Sequence, residues 1–207
     1  MTNDRIVILG GGGHGKVLIS TARAAGFQCV GVLDDDMQLH GSNLLGVPVL
    51  GPISMALGMA NASFLPAIGN GRVRRLVAES MPGLEWATVI HPAAWVDPTA
   101  LIGAGSVICA GAVIQAETRI GRHCILNTSA SVDHDCILGD YVHAAPGCHL
   151  GGATQVDEGV FLGIGTCLIP GIRVGAWSQT GAGTILVDEV PPGVLVVGCP
   201  GRVIRRT

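Results

Sequence analysis

A six-residue repeat of aliphatic side chains runs through residues 90–190 of the chain. Fifteen of its 17 positions hold Ile, Leu or Val, and no insertion breaks the register. An α-helix, with about 3.6 residues per turn, cannot keep such a repeat on one face. A fixed hexapeptide period predicts a parallel β-helix, in which three hexapeptides form one triangular coil.

A second, mostly small position follows four residues after each aliphatic one. Its members include Ala94, Ala100, Ser106, Ala112, Thr118, Cys124, Ala130, Cys136, Cys148, Thr154, Thr166, Ser178 and Thr184. The aliphatic side chain is expected inside a narrow prism, with the small one beside it near a corner. An aromatic content of 3% and 32 glycines fit a thin core with many tight corners.

The first 83 residues show a different pattern, typical of an α/β fold. A short strand at residues 5–9 leads into a glycine-rich loop and a helix at 16–25, and a second strand at 28–33 ends in Asp34 and Asp35. Gly10, Gly12 and Gly15 match GxGxxG, a pattern that lets the backbone approach a phosphate at a helix N-terminus. This region is too short for two mononucleotide-binding halves, so it predicts a site for one nucleotide. A tight turn without any ligand is the alternative interpretation.

A second loop of the same kind follows a buried strand expected at residues 64–68. It reads Gly69-Asn70-Gly71-Arg72 and leads into a helix at 73–79. A strand within residues 46–51 and a short helix at 54–59 precede it. Ligands of open α/β sheets bind at the carboxyl ends of the strands, where both loops should lie side by side. Residues 81–83 are a plausible linker, so we expect one domain over residues 1–83 and a second over 84–207.

Histidines and carboxylates are concentrated in one part of the repeat. Residues 127–136 contain His134 between Asp133 and Asp135, and His143 and His149 follow. Val132 and Cys136 occupy inward positions, which places His134 on the outer surface near a corner. An exposed histidine between two aspartates can also be an ordinary solvated side chain, and the spacing alone leaves both readings open.

Charge, hydropathy and cysteine usage narrow the class of protein. A net charge of −3 gives no reason to expect nucleic acid or an anionic membrane as partner. The sequence contains no run of 18 apolar residues, so a membrane-spanning helix is not expected. Residues 1–5 lead directly into a strand, so no signal peptide is expected either. The odd number of cysteines, seven, indicates a reducing cytoplasm.

Three stretches together resemble a known family of bacterial sugar acyltransferases. They are the glycine-rich start at residues 9–15, the repeat with its segment at 131–136, and the ending at 197–202, Val-Gly-Cys-Pro-Gly-Arg. The pattern is most similar to the acetyl-CoA-dependent N-acetyltransferases that act on nucleotide-linked 4-amino sugars, including those of the bacillosamine type. The resemblance implies a left-handed parallel β-helix behind a half-Rossmann-like α/β domain, and a UDP-linked 4-amino-4,6-dideoxy sugar as the acceptor.

The resemblance also implies roles for individual residues. His134 would be the general base for the sugar amine, and Asp135 would orient it, where many relatives carry Glu. Aspartate is shorter than glutamate, which raises the question whether the Asp135 carboxylate reaches the imidazole. Asp133 therefore remains an alternative for orienting His134. His143 would lie near the acetyl carbonyl. The substrate-side residues would be Gly12, Gly13, His14, Asp34, Asp35, Asn70, Arg72 and Asn127.

Members of this family are trimers that bind acetyl-CoA between neighbouring β-helices. The later coils and the tail would line that groove here. Together with His143, the cofactor-binding residues would be Gly163, Ile164, Gly181, Gly183, Gly198, Pro200 and Arg202. No metal is expected, and active sites between subunits of a homotrimer are implied.

Three other functions compete with this one. The same β-helix supports metal-dependent hydratases, for which His134, His143 and His149 are possible ligands, although that class ordinarily lacks the N-terminal α/β domain. A non-catalytic scaffold is a second alternative, and the His/Asp cluster argues against it. O-acetylation of a sialic acid or another sugar is the third, because a hydroxyl acceptor needs the same base.

Overall fold

The computed structural model describes residues 4–207, and its first part is the expected small α/β sheet. Its elements are β1 (Arg5–Leu9), α1 (Gly13–Ala24), β2 (Gln28–Leu33), β3 (Asn43–Leu44), β4 (Val47–Gly51), β5 (Ser63–Pro66) and α2 (Gly71–Glu79). The strand order is β3-β4-β2-β1-β5, parallel except for β3. The expected helix at 54–59 is a 3₁₀ helix, Ile53–Gly58, and another covers Met37–Leu39. The expectation that no signal peptide is present also involves residues 1–3, which lie outside the described residues.

The repeat folds into short strands of two residues each. In chain order they are β6 (Val89–Ile90), β7 (Trp95–Val96), β8 (Leu101–Ile102), β9 (Val107–Ile108), β10 (Val113–Ile114), β11 (Arg119–Ile120), β12 (Ile125–Leu126), β13 (Ser131–Val132), β14 (Ile137–Leu138), β15 (His143–Ala144), β16 (His149–Leu150), β17 (Gln155–Val156), β18 (Phe161–Leu162), β19 (Cys167–Leu168), β20 (Arg173–Val174), β21 (Gln179–Thr180) and β22 (Ile185–Leu186).

Every third strand joins the same parallel sheet, so the repeat forms a three-sided prism and the predicted parallel β-helix is confirmed. We call the sheet that begins at β6 face 1, the sheet of β7 face 2 and the sheet of β8 face 3. On face 1, Val107, Ile125, His143 and Phe161 pair in direct register. The chain ends on face 1 with β23 (Val194–Val197) and the antiparallel β24 (Arg202–Arg206).

The inward positions of the prism form one continuous core. Aliphatic side chains such as Ile114, Val132 and Leu150 are buried, as their period predicted. The small inward side chains also make hydrogen bonds: the thiols of Cys124 and Cys136 donate to carbonyl oxygens 15 residues further along, at 3.2 and 3.3 Å. Burial raises the pKa of the Cys124 thiol to about 12. These cysteines are therefore protonated structural groups.

The α/β region packs against face 1 of the first coils. The outward side chains Val107 and Ile125 are buried in one cluster with Ile6, Ile8 and Leu18. Residues 84–87 continue the N-terminal sheet, since Phe64 and Trp86 form a parallel bridge. This packing brings the carboxyl edge of the α/β sheet against the outer side of face 1. Among the described residues no helix is long and apolar enough to cross a bilayer.

Candidate active site

The two predicted loops meet at the carboxyl edge of the α/β sheet, because β1 and β5 are neighbours. Gly10 adopts φ +119, and a Cβ there would lie 2.8 Å from the carbonyl oxygen of Ala67. Gly12 and Gly13, at the start of α1, have open space around them. The first turn of α1 contains no acidic residue, so its N-terminus keeps a positive potential suited to an anion.

The aspartates after β2 are engaged in local structure. Asp34 accepts hydrogen bonds from the backbone N–H of Gly11 at 2.5 Å and of Asp36 at 2.8 Å. Asp35 accepts from the N–H of Ile53 at 2.9 Å. The carboxylate of Asp34 therefore holds the glycine-rich loop in place.

The second loop faces the β-helix across a cavity of about 280 Å³. Asn70 caps α2, and its side-chain oxygen accepts from the N–H groups of Arg72 and Val73 at 3.0 and 3.1 Å. The guanidinium of Arg72 lies 4.8 Å from the ring centroid of Trp177, a cation–π contact. The lining consists of Gly69, Asn70, Gly71, Arg72, Gly159, Phe161, Trp177 and Gln179.

Sequence reasoning did not select Phe161, Trp177 or Gln179. Trp177 occupies a corner, with its ring above Gly159 of the preceding coil. Phe161 and Gln179 point outward from face 1 below His143. A tryptophan at a corner of a chain with 3% aromatics was the available signal.

His143 joins the two loops to the prism. Its Nδ1 lies 3.2 Å from the carbonyl oxygen of Gly69, and its ring centroid is 6.0 Å from that of His14. Asn127, also on face 1, places its amide nitrogen 3.5 Å from Nε2 of His143. Burial, together with the nearby charge of Arg74, lowers the pKa of both His14 and His143 to about 4. Both imidazoles are therefore neutral near pH 7.

The His14 ring reaches this group with an unused polar atom. Its Nε2 is buried and has no hydrogen-bond partner among the described residues. A buried polar atom left unpaired costs free energy, so a ligand that bonds to it would be favoured there. The cluster around His143 thus contains four of the predicted substrate-side residues: His14, Asn70, Arg72 and Asn127.

His134 lies elsewhere, at the corner between face 2 and face 3. Its Nδ1 is 2.7 Å from Oδ2 of Asp135, and 60% of its side chain is exposed. The hydrogen bond that His134 donates to Asp135 raises the pKa of His134, and the charge of Asp133 adds to the effect. Asp133 accepts the backbone N–H of His134 at 2.9 Å. The ring rests on Gly152 of the next coil, where a Cβ would come within 2.6 Å of Cε1.

The geometry leaves Nε2 of His134 free to take a proton. A carboxylate only accepts, so the Nδ1 of His134 carries the proton that it donates to Asp135. The other nitrogen then presents a lone pair to solvent, as a general base requires. Asp135 does reach the imidazole despite being shorter than glutamate, whereas the Asp133 carboxylate accepts a main-chain N–H.

Apart from His143, the predicted cofactor residues lie in the last coils and the tail. Local structure explains why glycine occupies several of these positions. A Cβ at Gly163 would lie 2.5 Å from the carbonyl oxygen of Thr180, and Gly183 and Gly198 have φ +67 and +98. A Cβ at Gly181 would lie 2.8 Å from Cγ1 of Val197. The exposed side chains of this set are Ile164, Pro200 and Arg202.

The predicted residues therefore form three separate groups within one chain. The substrate-side cluster, which includes His143, lies between the α/β region and face 1. His134 and Asp135 lie at the corner of faces 2 and 3, and the remaining cofactor residues lie toward the C-terminal end. No group of three His, Cys, Asp or Glu within residues 4–207 is arranged to hold a metal ion.

Comparison with known proteins gives the class. Residues 5–81 match the family described as the PglD N-terminal domain. GDP-perosamine N-acetyltransferase of Escherichia coli O157:H7 is 30% identical over 151 residues, covering 70% of this chain and 68% of that protein. UDP-N-acetylbacillosamine N-acetyltransferase of Bacillus subtilis is 41% identical over 111 residues, covering 51% of each.

Solved structures agree over nearly the whole chain. The acetyltransferase domain of PglB from Neisseria gonorrhoeae, in complex with acetyl coenzyme A, has a TM-score of 0.93 at 38% identity and covers 98% of this chain and 100% of that one. PerB from Caulobacter crescentus, in complex with CoA and GDP-perosamine, has a TM-score of 0.91 at 37% identity and covers 96% of both.

The fold and these relatives define a β-helical acetyltransferase that uses acetyl-CoA. The chain belongs to the family of N-acetyltransferases that act on nucleotide-linked amino sugars. The expected class of enzyme, the fold and the co-substrate are thereby confirmed.

Proposed function

We propose that the protein transfers the acetyl group of acetyl-CoA to the amine of a nucleotide-linked 4-amino-4,6-dideoxy sugar, with His134 as general base. The observation that carries this proposal is the exposed imidazole of His134. Its Nδ1 lies 2.7 Å from Oδ2 of Asp135, which leaves its Nε2 open to solvent. An imidazole with a pKa above its ordinary value is a competent base around neutral pH.

The reaction needs one proton transfer at the attacking nitrogen. The sugar amine attacks the thioester carbonyl, and a C–N bond forms. Nε2 of His134 accepts the proton that the amine loses, and the C–S bond breaks to release the CoA thiolate, which takes up a proton. A positioned base of this kind contributes about 10²–10⁴-fold to the rate.

The nucleotide is assigned to the cleft between the two loops and face 1. Support comes from the open N-terminus of α1 at Gly12 and Gly13, from Asn70 and Arg72 at the second loop, and from the unpaired Nε2 of His14. Asp34 and Asp35 shape this cleft. His143 and Asn127 close its β-helix side and would face the acetyl carbonyl and the sugar.

We further infer that a homotrimer assembles the complete site. His134 and the substrate-side cluster lie on different sides of one prism, so a neighbouring copy must supply one of them. Rotational symmetry would generate three equal sites of this kind. Acetyl-CoA would then lie in the groove between two prisms, near Gly163, Ile164, Gly181, Gly183, Gly198, Pro200 and Arg202.

We place the enzyme in a reducing cytoplasm. All seven cysteines are free thiols, and four of them are buried. Proteins of oxidising compartments commonly pair such residues in disulfides.

The test measures CoA release from acetyl-CoA with UDP-linked and GDP-linked 4-amino sugars and with sialic acid as acceptors. The His134→Ala variant is compared with wild type and with His91→Ala, a control histidine from an earlier corner. We expect turnover with one nucleotide-linked amine, reduced about 10²–10⁴-fold by His134→Ala and unchanged by His91→Ala. Turnover that survives in His134→Ala would remove the base assignment, and turnover with sialic acid alone would indicate an O-acetyltransferase.

A further inference from the structure

Arg74 is a completely buried cation at the junction of the α/β region and the β-helix, with 0% of the residue exposed. Four main-chain carbonyl oxygens accept hydrogen bonds from its guanidinium. Burial lowers the pKa of Arg74 to about 10, so it is still charged near pH 7. Burying a charge without full pairing is costly, so an arginine held only by carbonyl groups suggests a specific function.

The four carbonyl groups belong to two different parts of the molecule. Ile68 and Gly69, in the loop after β5, accept from Nη1 at 2.6 and 3.1 Å. His123 and Tyr141, at the same corner of two successive coils, accept from Nε at 2.8 Å and Nη2 at 2.6 Å. The guanidinium of Arg74 therefore connects the second loop to two coils of the β-helix by hydrogen bonds.

The same carbonyl group of Gly69 also determines the state of His143. It accepts from Arg74 and lies 3.2 Å from Nδ1 of His143. A carbonyl oxygen cannot donate, so this contact requires the proton on Nδ1. Nε2 of His143 is then an acceptor, and the amide N–H of Asn127 is directed at it at 3.5 Å.

Two glycines of the loop lie next to the β-helix. A Cβ on Gly69 would lie 4.0 Å from Cε1 of His143, and one on Gly71 would lie 3.4 Å from the carbonyl oxygen of Tyr141. The loop is thus packed directly on the corner that Arg74 bonds. Without the guanidinium, all four carbonyl groups would lose this donor, and the loop would lose the link to the prism that Arg74 makes.

We propose that Arg74 is a positioning residue for the acetyl-transfer site: it fixes the Gly69 carbonyl against the β-helix, and that carbonyl holds His143 in the Nδ1–H tautomer. The inference rests on the proposed function, in which His143 faces the reacting groups. Arg74 itself contacts neither substrate. Its effect on catalysis passes through the loop and through the imidazole of His143.

The test compares Arg74→Met with Arg75→Met, a matched control on the same helix. Arg75 is 40% exposed and pairs with Glu79 and Glu158. For Arg74→Met we expect both tautomers of His143 in ¹⁵N-histidine NMR spectra. We also expect kcat/KM for the nucleotide sugar to be lower by about 10²-fold, the cost of a misplaced reacting group. Arg75→Met should match wild type in both measurements.

Two outcomes would overturn the proposal. One is a wild-type spectrum in which His143 carries its proton on Nε2. The other is a folded Arg74→Met protein with a single Nδ1–H tautomer and wild-type kinetics. If Arg74→Met does not fold, Arg74→Lys replaces it, since it keeps the charge but cannot reach all four carbonyl groups. Because the spectra need no turnover, they test Arg74 even if wild-type protein releases no CoA and the proposed function fails.

Discussion

The two aspartates beside His134 have different roles that their symmetry in the sequence conceals. Asp135 has φ +58, in the left-handed region, and this backbone conformation turns its carboxylate onto Nδ1. Asp133 bonds the backbone N–H instead. The sequence placed His134 outside the prism because Val132 and Cys136 had to lie inside. It could not assign the carboxylates, since a left-handed aspartate is a property of the corner and not of the residue type.

Replacement of Asp135 by Asn should change the pH dependence of catalysis. The hydrogen bond and charge of Asp135 raise the pKa of His134, and the base works in its neutral form. Removing that charge lowers the pKa, so the acid limb of the kcat/KM profile should move to lower pH. The measurement is the kcat/KM profile between about pH 5 and pH 9.

Asp133→Asn serves as the comparison for that profile. Asp133 also raises the pKa of His134, through its charge alone, so a smaller displacement in the same direction is expected. A larger shift in Asp133→Asn than in Asp135→Asn would assign the orienting role to Asp133.

At the scale of the element, the aliphatic period breaks at Ala144 and Thr180, and the structure explains the second break. The hydroxyl of Thr180 accepts the backbone N–H of Gly163 at 2.9 Å and pairs with the hydroxyl of Thr166 at 2.7 Å. Elsewhere on face 1 the equivalent N–H bonds to a main-chain carbonyl, as Ala145 does to Leu162. A side chain therefore replaces a ladder bond at one coil, which no periodicity rule predicts.

Thr180→Val should destabilise the protein although it adds apolar surface. The variant leaves the buried N–H of Gly163 without its acceptor, a loss of about 1–3 kcal/mol. The measurement is chemical unfolding of both proteins. Thr180→Ser keeps the hydroxyl and should lose less, so equal stabilities of wild type and Thr180→Val would show that Gly163 finds another acceptor.

At the scale of the whole molecule, the sequence predicted both parts of the fold but not how they join. Hexapeptide spacing and the strand–glycine–helix pattern each act locally, within one coil or one βα unit. The junction depends on outward residues of face 1, such as Ile125, and on Arg74, which look like ordinary surface positions in a linear reading. The clustering of His14 with His143 is a consequence of that junction, and no pattern in the sequence predicted it.

Acid should destabilise the folded protein well above the pH at which carboxylates titrate. Burial lowers the pKa of His14, His123 and His143 to about 4, whereas an unfolded histidine has a pKa near 6.5. Between these values the unfolded chain binds more protons, so stability falls as pH decreases from about 6.5 to about 4. The melting temperature measured across this range tests the prediction.

His123→Phe isolates one contribution to that acid sensitivity. The His123 ring stacks on Tyr141 with centroids 5.3 Å apart, and its Nδ1 has no hydrogen-bond partner among the described residues. Phenylalanine should keep the stacking and remove the titrating group, so the fall in melting temperature should be shallower. The exposed His149→Gln variant should retain the wild-type slope, and equal slopes in all three proteins would exclude a role for His123.

The regular stacking of coils has a consequence for how such an enzyme can change in length. Parallel strands on each face are spaced by about 4.8 Å, and each corner repeats in the next coil, as Gly152 does beneath His134. Inserting one complete coil after β20 would move the C-terminal strands away from His134 by one such step and leave every corner in phase. Inserting a single hexapeptide would rotate the tail onto another face. The distance between His134 and the C-terminal strands, which an extended co-substrate must span, can therefore change only in steps of one whole coil.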